Sequence, residues 1–404
     1  MKNPGGGLAR RVGYVNAFKK VFSKSPVLYV DAGNFAAVGI PSAQIRNRGM
    51  VDGLNQIGYA AVMLGERELA AGYEAFRALA ATARFPFVSA NFVFEDGGEP
   101  IVDPYVVVPA DHGDGVIRVA FLGLNRYNTG FIKGTDDGRN VVVTSPFETA
   151  RRLVPEVREK ADVVVVLTSL SISQARQLAK EVEGIDLIIG ASGGVLSLDN
   201  DTSAGVPIVY PGNQGKYLSE MRLFMGEEGH GVAEVSRRHH YLNREYPVEP
   251  ALQKLVESVL AQENDMNRER ASADVAKVVV PEGRPTFVGS GACGQCHDDI
   301  VASWQETGHA SAFQTLVERN ADFNEECVSC HVVGAGRPGG FVNAKATAGL
   351  VNVQCEACHG PGSLHTEAPE REYGAAGARS CLGCHDPTNS PGFDFYTYWP
   401  KIKH

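Results

Sequence analysis

All eight cysteines of this chain fall in four copies of one five-residue pattern: "CGQCH" (293–297), "CVSCH" (327–331), "CEACH" (355–359) and "CLGCH" (381–385). No other feature restricts the possible fold as tightly. Two thiols three residues apart can each add across one haem vinyl group, and the adjoining His then faces the iron. Cys-x-x-Cys-His is the sequence signature of c-type haem attachment. A disulfide framework or a pair of zinc sites also consumes cysteine, but neither requires His after every pair. The expectation is four covalently attached haems c. Their thioethers come from Cys293, Cys296, Cys327, Cys330, Cys355, Cys358, Cys381 and Cys384, and their proximal imidazoles from His297, His331, His359 and His385.

The motifs lie within residues 286–404, which is too little chain to build an ordinary core beside four porphyrins. The porphyrins must themselves form the core, nearly in contact, with peptide wrapped around them. Distal ligands then have few sources. The region contains no Met, and its only other histidines are His309, His365 and His404. His309 stands on an apparent helix, "DDIVASWQETGHASAFQTLVE", roughly 18 Å along the axis from His297. It is therefore expected to cap a different haem. His404 follows the aromatic run "FDFYTYWPKIK" and is expected to be pinned by iron rather than frayed. Three distal histidines for four irons leave a deficit of one. Either one iron has an open face, or the missing ligand comes from another protomer or from His112, His230, His239 or His240.

Charge points the same way as the motifs. The formal net charge is −9, and residues 286–404 hold 13 Asp+Glu against 7 Lys+Arg, a balance of −6. Such a surface disfavours nucleic acid and suits a redox partner protein with a basic docking face. A homo-oligomer or filament is a further possible assembly. No apolar run is long enough to span a bilayer. Covalent haem attachment takes place outside the cytoplasmic membrane, so a periplasmic or cell-surface location is expected. A signal peptide is therefore also expected, although "MKNPGGGLARRVGYVNAFKK" lacks the apolar core of one.

Residues 1–245 alternate strand and helix patterns, the mark of an α/β domain with buried strands. Strands are expected at 27–33, 59–64, 116–124, 161–169, 185–192 and 206–212, and helices near 8–24, 43–57, 67–83, 146–160 and 171–183. Residues 246–285 read as a helix followed by a polar linker, "AQENDMNRERASADVAK", and 286–404 as the haem domain. The stretch "AAVMLGERELAAG" (60–72) has the layout of a catalytic loop, a buried strand ended by Gly65. Chemistry in α/β folds sits at such strand ends. Arg67, however, would repel a metal ion.

The haem region resembles the tetrahaem cytochrome c-554 family through "FVGSGACGQCHDDIVASWQETGHASAF", "CVSCHVVGAGRPGGF", "VQCEACHGPGSLH" and "CLGCHDPTNSPGFDFYTYWPKIKH". The resemblance implies three bis-histidine haems and a five-coordinate second haem, the one on Cys327, Cys330 and His331. Residues 6–226 resemble the metallophosphatase domain of 5′-nucleotidases through "GGLARR", "VLYVDAGNF", "LNQIGYAAVMLGERELAAG", "FPFVSANFVF", "VEGIDLIIGASGG" and "VPIVYPGNQGKYLSEMRL". That family holds two metal ions for phosphoester hydrolysis. At the positions matching its ligands this chain carries Asn34, Glu66, Arg67, Ser169, Ser192 and Gly194. The family's initial Asp-x-His strand is absent, which leads to the expectation that the true translation start lies further upstream.

The fold expected is thus a metallophosphatase-like α/β sandwich of sheets flanked by helices, followed by a mainly α, haem-packed domain. The function expected is electron transfer, with no residual phosphatase activity. Reduction of a small nitrogen or oxygen species at an open haem is the first alternative, and nucleotide hydrolysis is the second.

Overall fold

The computed structural model describes residues 5–111, 115–127, 138–192, 194–197, 201–226, 232–274, 283–386 and 389–404. It contains two compact units, Gly5–Val256 and Glu257–His404.

The first unit is built on a six-stranded sheet. Its order is Thr202–Ser203, Val206–Val209, Leu187–Gly190, Val163–Thr168, Val116–Leu124 and Tyr105–Asp111. The four inner strands run parallel, and the outer strand on each side is antiparallel. "VVVVLT" (163–168) is buried along its whole length, as expected of a strand covered on both faces. Helices Pro146–Lys160 and Ile172–Glu181 cover one face with Leu153, Val154, Ala175 and Leu178. Ser145 and Ser171 cap these helices by accepting from Glu148 N and Gln174 N. The other face packs against the parallel three-stranded sheet Tyr29–Asp31, Tyr59–Met63 and Phe87–Val88. An apolar cavity of about 480 Å³ lies there, lined by Leu28, Val30, Val119, Val165, Met221 and Leu223 among others. An antiparallel pair, Tyr217–Met225 with Val232–Tyr241, completes the unit.

Each strand and helix expected in this unit is present, with the expected bounds at 116–124 and 146–160 and shorter ends elsewhere, apart from the helix near 67–83. There the helix is only Tyr73–Ala80. The preceding residues form turns because Glu68 is drawn inward and Gly72 takes a positive φ of 96°. The antiparallel pair was not expected from the sequence, because its half-exposed strands give no clean apolar run.

The second unit begins within a helix, Pro250–Asp274. The stretch expected to be a polar linker is therefore helical through Asp274. Its residues are largely good helix formers, and three polar ones are buried: Glu263, Asn264 and Asn267. Asn264 accepts from Phe323 N at 2.7 Å and donates to Asn320 and Asp322. Beyond it the chain forms short helices and turns around a small core of Phe287, Phe313, Leu316, Val332, Val333 and Phe341. The long helix expected over 298–318 is broken into Asp298–Gln305, a 3₁₀ turn Gly308–Ser311, and Gln314–Val317. Gly308 marks the break. Among the described residues, no helix is long and apolar enough to cross a membrane.

Candidate haem centres and the substituted metal-site loop

The four Cys-x-x-Cys-His motifs each form a tight helical turn that starts at or just before the first Cys. In the first motif His297 N donates to Cys293 O at 2.9 Å, and in the fourth His385 N donates to Cys381 O at 2.9 Å. This turn presents both thiols and the imidazole on one side. None of the eight thiols is in a disulfide. Thiols of different motifs lie near one another instead: Cys293 near Cys355, Cys358 near Cys381, and Cys330 near Cys384. The attachment sites therefore follow one another in space in the order first, third, fourth, second.

The imidazoles meet in pairs. His297 faces His365 with ring centroids 6.4 Å apart, His309 faces His385 at 6.1 Å, and His359 faces His404 at 5.7 Å. With metal–imidazole bonds of about 2 Å, two imidazoles on opposite faces of one metal have centroids about 6 Å apart. The seven histidines of the region thus sort into three pairs of suitable spacing and one, His331, with no such ring opposite it among the described contacts.

Hydrogen bonding at Nδ1 fits the same chemistry. Nδ1 of His331 donates to Ala312 O (2.7 Å), that of His359 to Gly374 O (2.5 Å), that of His365 to Arg371 O (3.0 Å) and that of His404 to Ile402 O (3.3 Å). A carbonyl can only accept, so the proton is on Nδ1 and the Nε2 lone pair is left for a metal. Nδ1 of His385 bonds Ser390 Oγ at 3.0 Å. Burial also lowers the pKa of His309 and of His385, which keeps both rings neutral, as a ligand must be. His309 is set in place by its own backbone, since its carbonyl accepts from Val353 N at 3.1 Å.

Two of the other histidines have partners of their own. His239 bonds Ser219 Oγ and Ser197 O, and His240 bonds Glu220 Oε2 at 3.1 Å. His112 and His230 lie outside the described residues.

In the first unit the loop after Tyr59–Met63 meets the turn after Tyr29–Asp31. Asn34, at a positive φ of 60°, accepts from Arg67 N through Oδ1 at 3.1 Å. Arg67 Nε donates to Ala36 O at 2.7 Å. Glu66 forms a two-pronged ion pair with Arg126 (3.1 and 3.0 Å), and Arg126 N donates to Ser169 Oγ at 2.9 Å. Four of the six substituted positions are thus tied into two bonded groups, Asn34 with Arg67, and Glu66 with Ser169 through Arg126. Ser192 and Gly194 sit in the loop after Leu187–Gly190, where Ser192 O accepts from Val195 N. Among the described residues, no three His, Cys, Asp or Glu side chains are arranged to hold a metal ion.

Two residues that hold this loop in place were not singled out from the sequence. Glu68 is 4% exposed, and its carboxylate accepts from the amides of Asn34, Ala36 and Gly65 at 2.9–3.0 Å. Burial pushes its pKa up while these three bonds oppose the shift. Arg126 is the other. Its only sequence signal was its place just after a buried strand end.

Comparison with known proteins finds different relatives for the two parts of the chain. Residues 292–360 match the family model of cytochrome c554 and c-prime. Cytochrome c-554 of Nitrosomonas europaea is 36% identical over 19% of this chain and 39% of its own length. A 2′,3′-cyclic-nucleotide 2′-phosphodiesterase/3′-nucleotidase of Salmonella typhimurium is 26% identical over 55% of this chain and 39% of its own length. Each of these two alignments therefore spans only about two fifths of the relative. Among solved structures, the sulfate thiohydrolase SoxB of Thermus thermophilus superposes with a TM-score of 0.56 at 21% identity, over 65% of this chain and 48% of that one. The calcineurin-like phosphoesterase YfkN of Bacillus subtilis gives 0.53 at 20% identity, over 64% and 90%. The N-terminal part is related to the 5′-nucleotidase and metallophosphoesterase family and has its fold, and the C-terminal part carries a cytochrome c554 domain.

Proposed function

We propose that this chain, a cytochrome c554 domain joined to a nucleotidase-like domain, is an extracytoplasmic tetrahaem c-type cytochrome that carries electrons. The observation that carries the reading is the sorting of seven histidines into three pairs about 6 Å apart plus a solitary His331. The eight motif cysteines would hold the haems by thioether bonds. His297 with His365, His385 with His309, and His359 with His404 would supply paired axial ligands, and His331 a single one. When bound, haem supplies a reversible one-electron couple at its iron. The protein's own part is to hold Nδ1 of His331, His359, His365 and His404 against backbone carbonyls, which leaves Nε2 of each for the iron. It also places the attachment sites in the sequence first, third, fourth, second, so that electrons pass along the row. The acidic balance of the domain favours a redox partner with a basic face.

Mass spectrometry of the denatured, fully matured protein is expected to show four haem additions. A smaller number would refute the count.

The nucleotidase-like domain serves docking or assembly in this reading. Arg67 stays protonated and has no lone pair to offer a metal, and its neighbours are committed to one another. The expected outcome is no hydrolysis of AMP above background with added Mn²⁺ or Zn²⁺. Turnover that a chelator abolishes would restore the hydrolase reading. A second reading rests on His331: a haem with one protein ligand can bind and reduce a small nitrogen or oxygen species. Ligand-dependent turnover would separate that from a carrier role.

A further inference from the structure

Four residues, Arg371–Gly374, contact the imidazoles of two different histidine pairs. Arg371 O accepts from Nδ1 of His365 at 3.0 Å, and Gly374 O accepts from Nδ1 of His359 at 2.5 Å. Between these carbonyls the Tyr373 ring stacks on both imidazoles. Its centroid lies 5.0 Å from His365 with planes 8° apart, and 5.7 Å from His359 with planes 18° apart. The rings thus run His297, His365, Tyr373, His359, His404, with successive centroids 5.0–6.4 Å apart.

The strap is itself fixed. The Tyr373 hydroxyl donates to Gly360 O, one residue beyond the third motif. Gly374 lies so close to the third motif that a Cβ there would stand 2.2 Å from His359 O. Only glycine lets the strap come near enough for its carbonyl to reach the His359 ring.

We propose that Arg371–Gly374 is a positioning strap, with Tyr373 setting the planes of the His365 and His359 imidazoles together and so coupling the ligand geometry of two haem sites. This rests on the tetrahaem reading. The stacked phenol resists rotation of each imidazole about its metal bond, and the two carbonyls fix the tautomer and the tilt. In a low-spin ferric haem the angle between the two axial imidazole planes sets the anisotropy of the EPR signal. The planes are 15° apart for His297 and His365, 44° for His359 and His404, and 52° for His309 and His385. The first site should give an ordinary rhombic signal, and the other two more anisotropic ones. A fold-stabilising role alone would not single out two of the three.

The test is EPR with potentiometric titration of the full-length holoprotein carrying Tyr373→Leu, with Tyr373→Phe as the conservative variant. Tyr373→Leu should move the near-parallel signal to a higher largest g value and shift one of the two anisotropic signals, with potentials changed at those two sites only. The His309/His385 signal, identified by its loss in His309→Ala, should stay where it is. Tyr373→Phe keeps the ring and should keep all three signals. Unmoved spectra in Tyr373→Leu, or equal disturbance of all three sites, would overturn the strap. If Tyr373→Leu yields no holoprotein, Tyr373→His is read by the same criterion, two sites displaced or the proposal lost. A wild-type protein without three low-spin haems would overturn the tetrahaem reading instead, whatever Tyr373 does.

Discussion

Replacing His309 by alanine is expected to convert one haem from low-spin to high-spin while the other sites keep their spectra. The His309 ring faces His385 at 6.1 Å, and among the described contacts no other imidazole lies against His385. Alanine removes the donor and has no nitrogen of its own to replace it. The visible spectrum should gain a high-spin component, and EPR should lose one anisotropic low-spin signal. That haem's potential should rise, because a neutral imidazole donor favours ferric iron. His240→Ala is the matched control. That ring bonds Glu220 and packs at a tilt against Tyr14, so its loss should leave every haem spectrum unchanged. If His309→Ala left the spectra intact and His240→Ala altered them, the ligand assignment would have to be rebuilt around the first domain.

The features legible in the sequence are those whose chemistry demands fixed local spacing. Thioether attachment requires two thiols three residues apart with His adjoining, so sixty per cent of each motif is prescribed by covalent geometry alone. Buried parallel strands such as Val163–Thr168 are equally plain, because burial on both faces imposes an unbroken apolar run. What stayed hidden depends on partners far along the chain. Glu68 reads as one more charge in the stretch after Gly65, yet amides at Asn34 and Ala36 draw it inside and end the helix expected there. Arg126 pairs with Glu66 across sixty residues of sequence. Tyr373 reads as an ordinary aromatic until the fold sets it between two imidazoles. The break before His309 was misread because "ETGHASAF" keeps helical composition on both sides of one Gly.

The same distinction makes Glu356 the residue of the haem domain whose loss should cost the most stability. It lies inside the third motif, yet it is 1% exposed. One carboxylate oxygen accepts from Val288 N (3.0 Å) and Gly362 N (2.7 Å), and the other from Val288 N (3.1 Å) and Gly289 N (2.8 Å). These amides belong to the entrance of the first motif and to the cap of the helix that carries His365. One side chain therefore joins the segments bearing His297, His359 and His365. Glu356→Ala leaves three amides without an acceptor, at about 1–3 kcal/mol each where water cannot reach. A loss of at least about 3 kcal/mol should lower the melting midpoint by on the order of 10 °C in a unit of this size. Glu356→Gln keeps the oxygen shared by Val288 and Gly362 but turns an NH₂ toward Gly289, so its loss should be intermediate. Thermal unfolding of the two holoprotein variants, followed in the haem absorbance, gives the order directly. Equal midpoints for wild type and Glu356→Ala would mean that other contacts hold these segments together and that the buried carboxylate has no structural task.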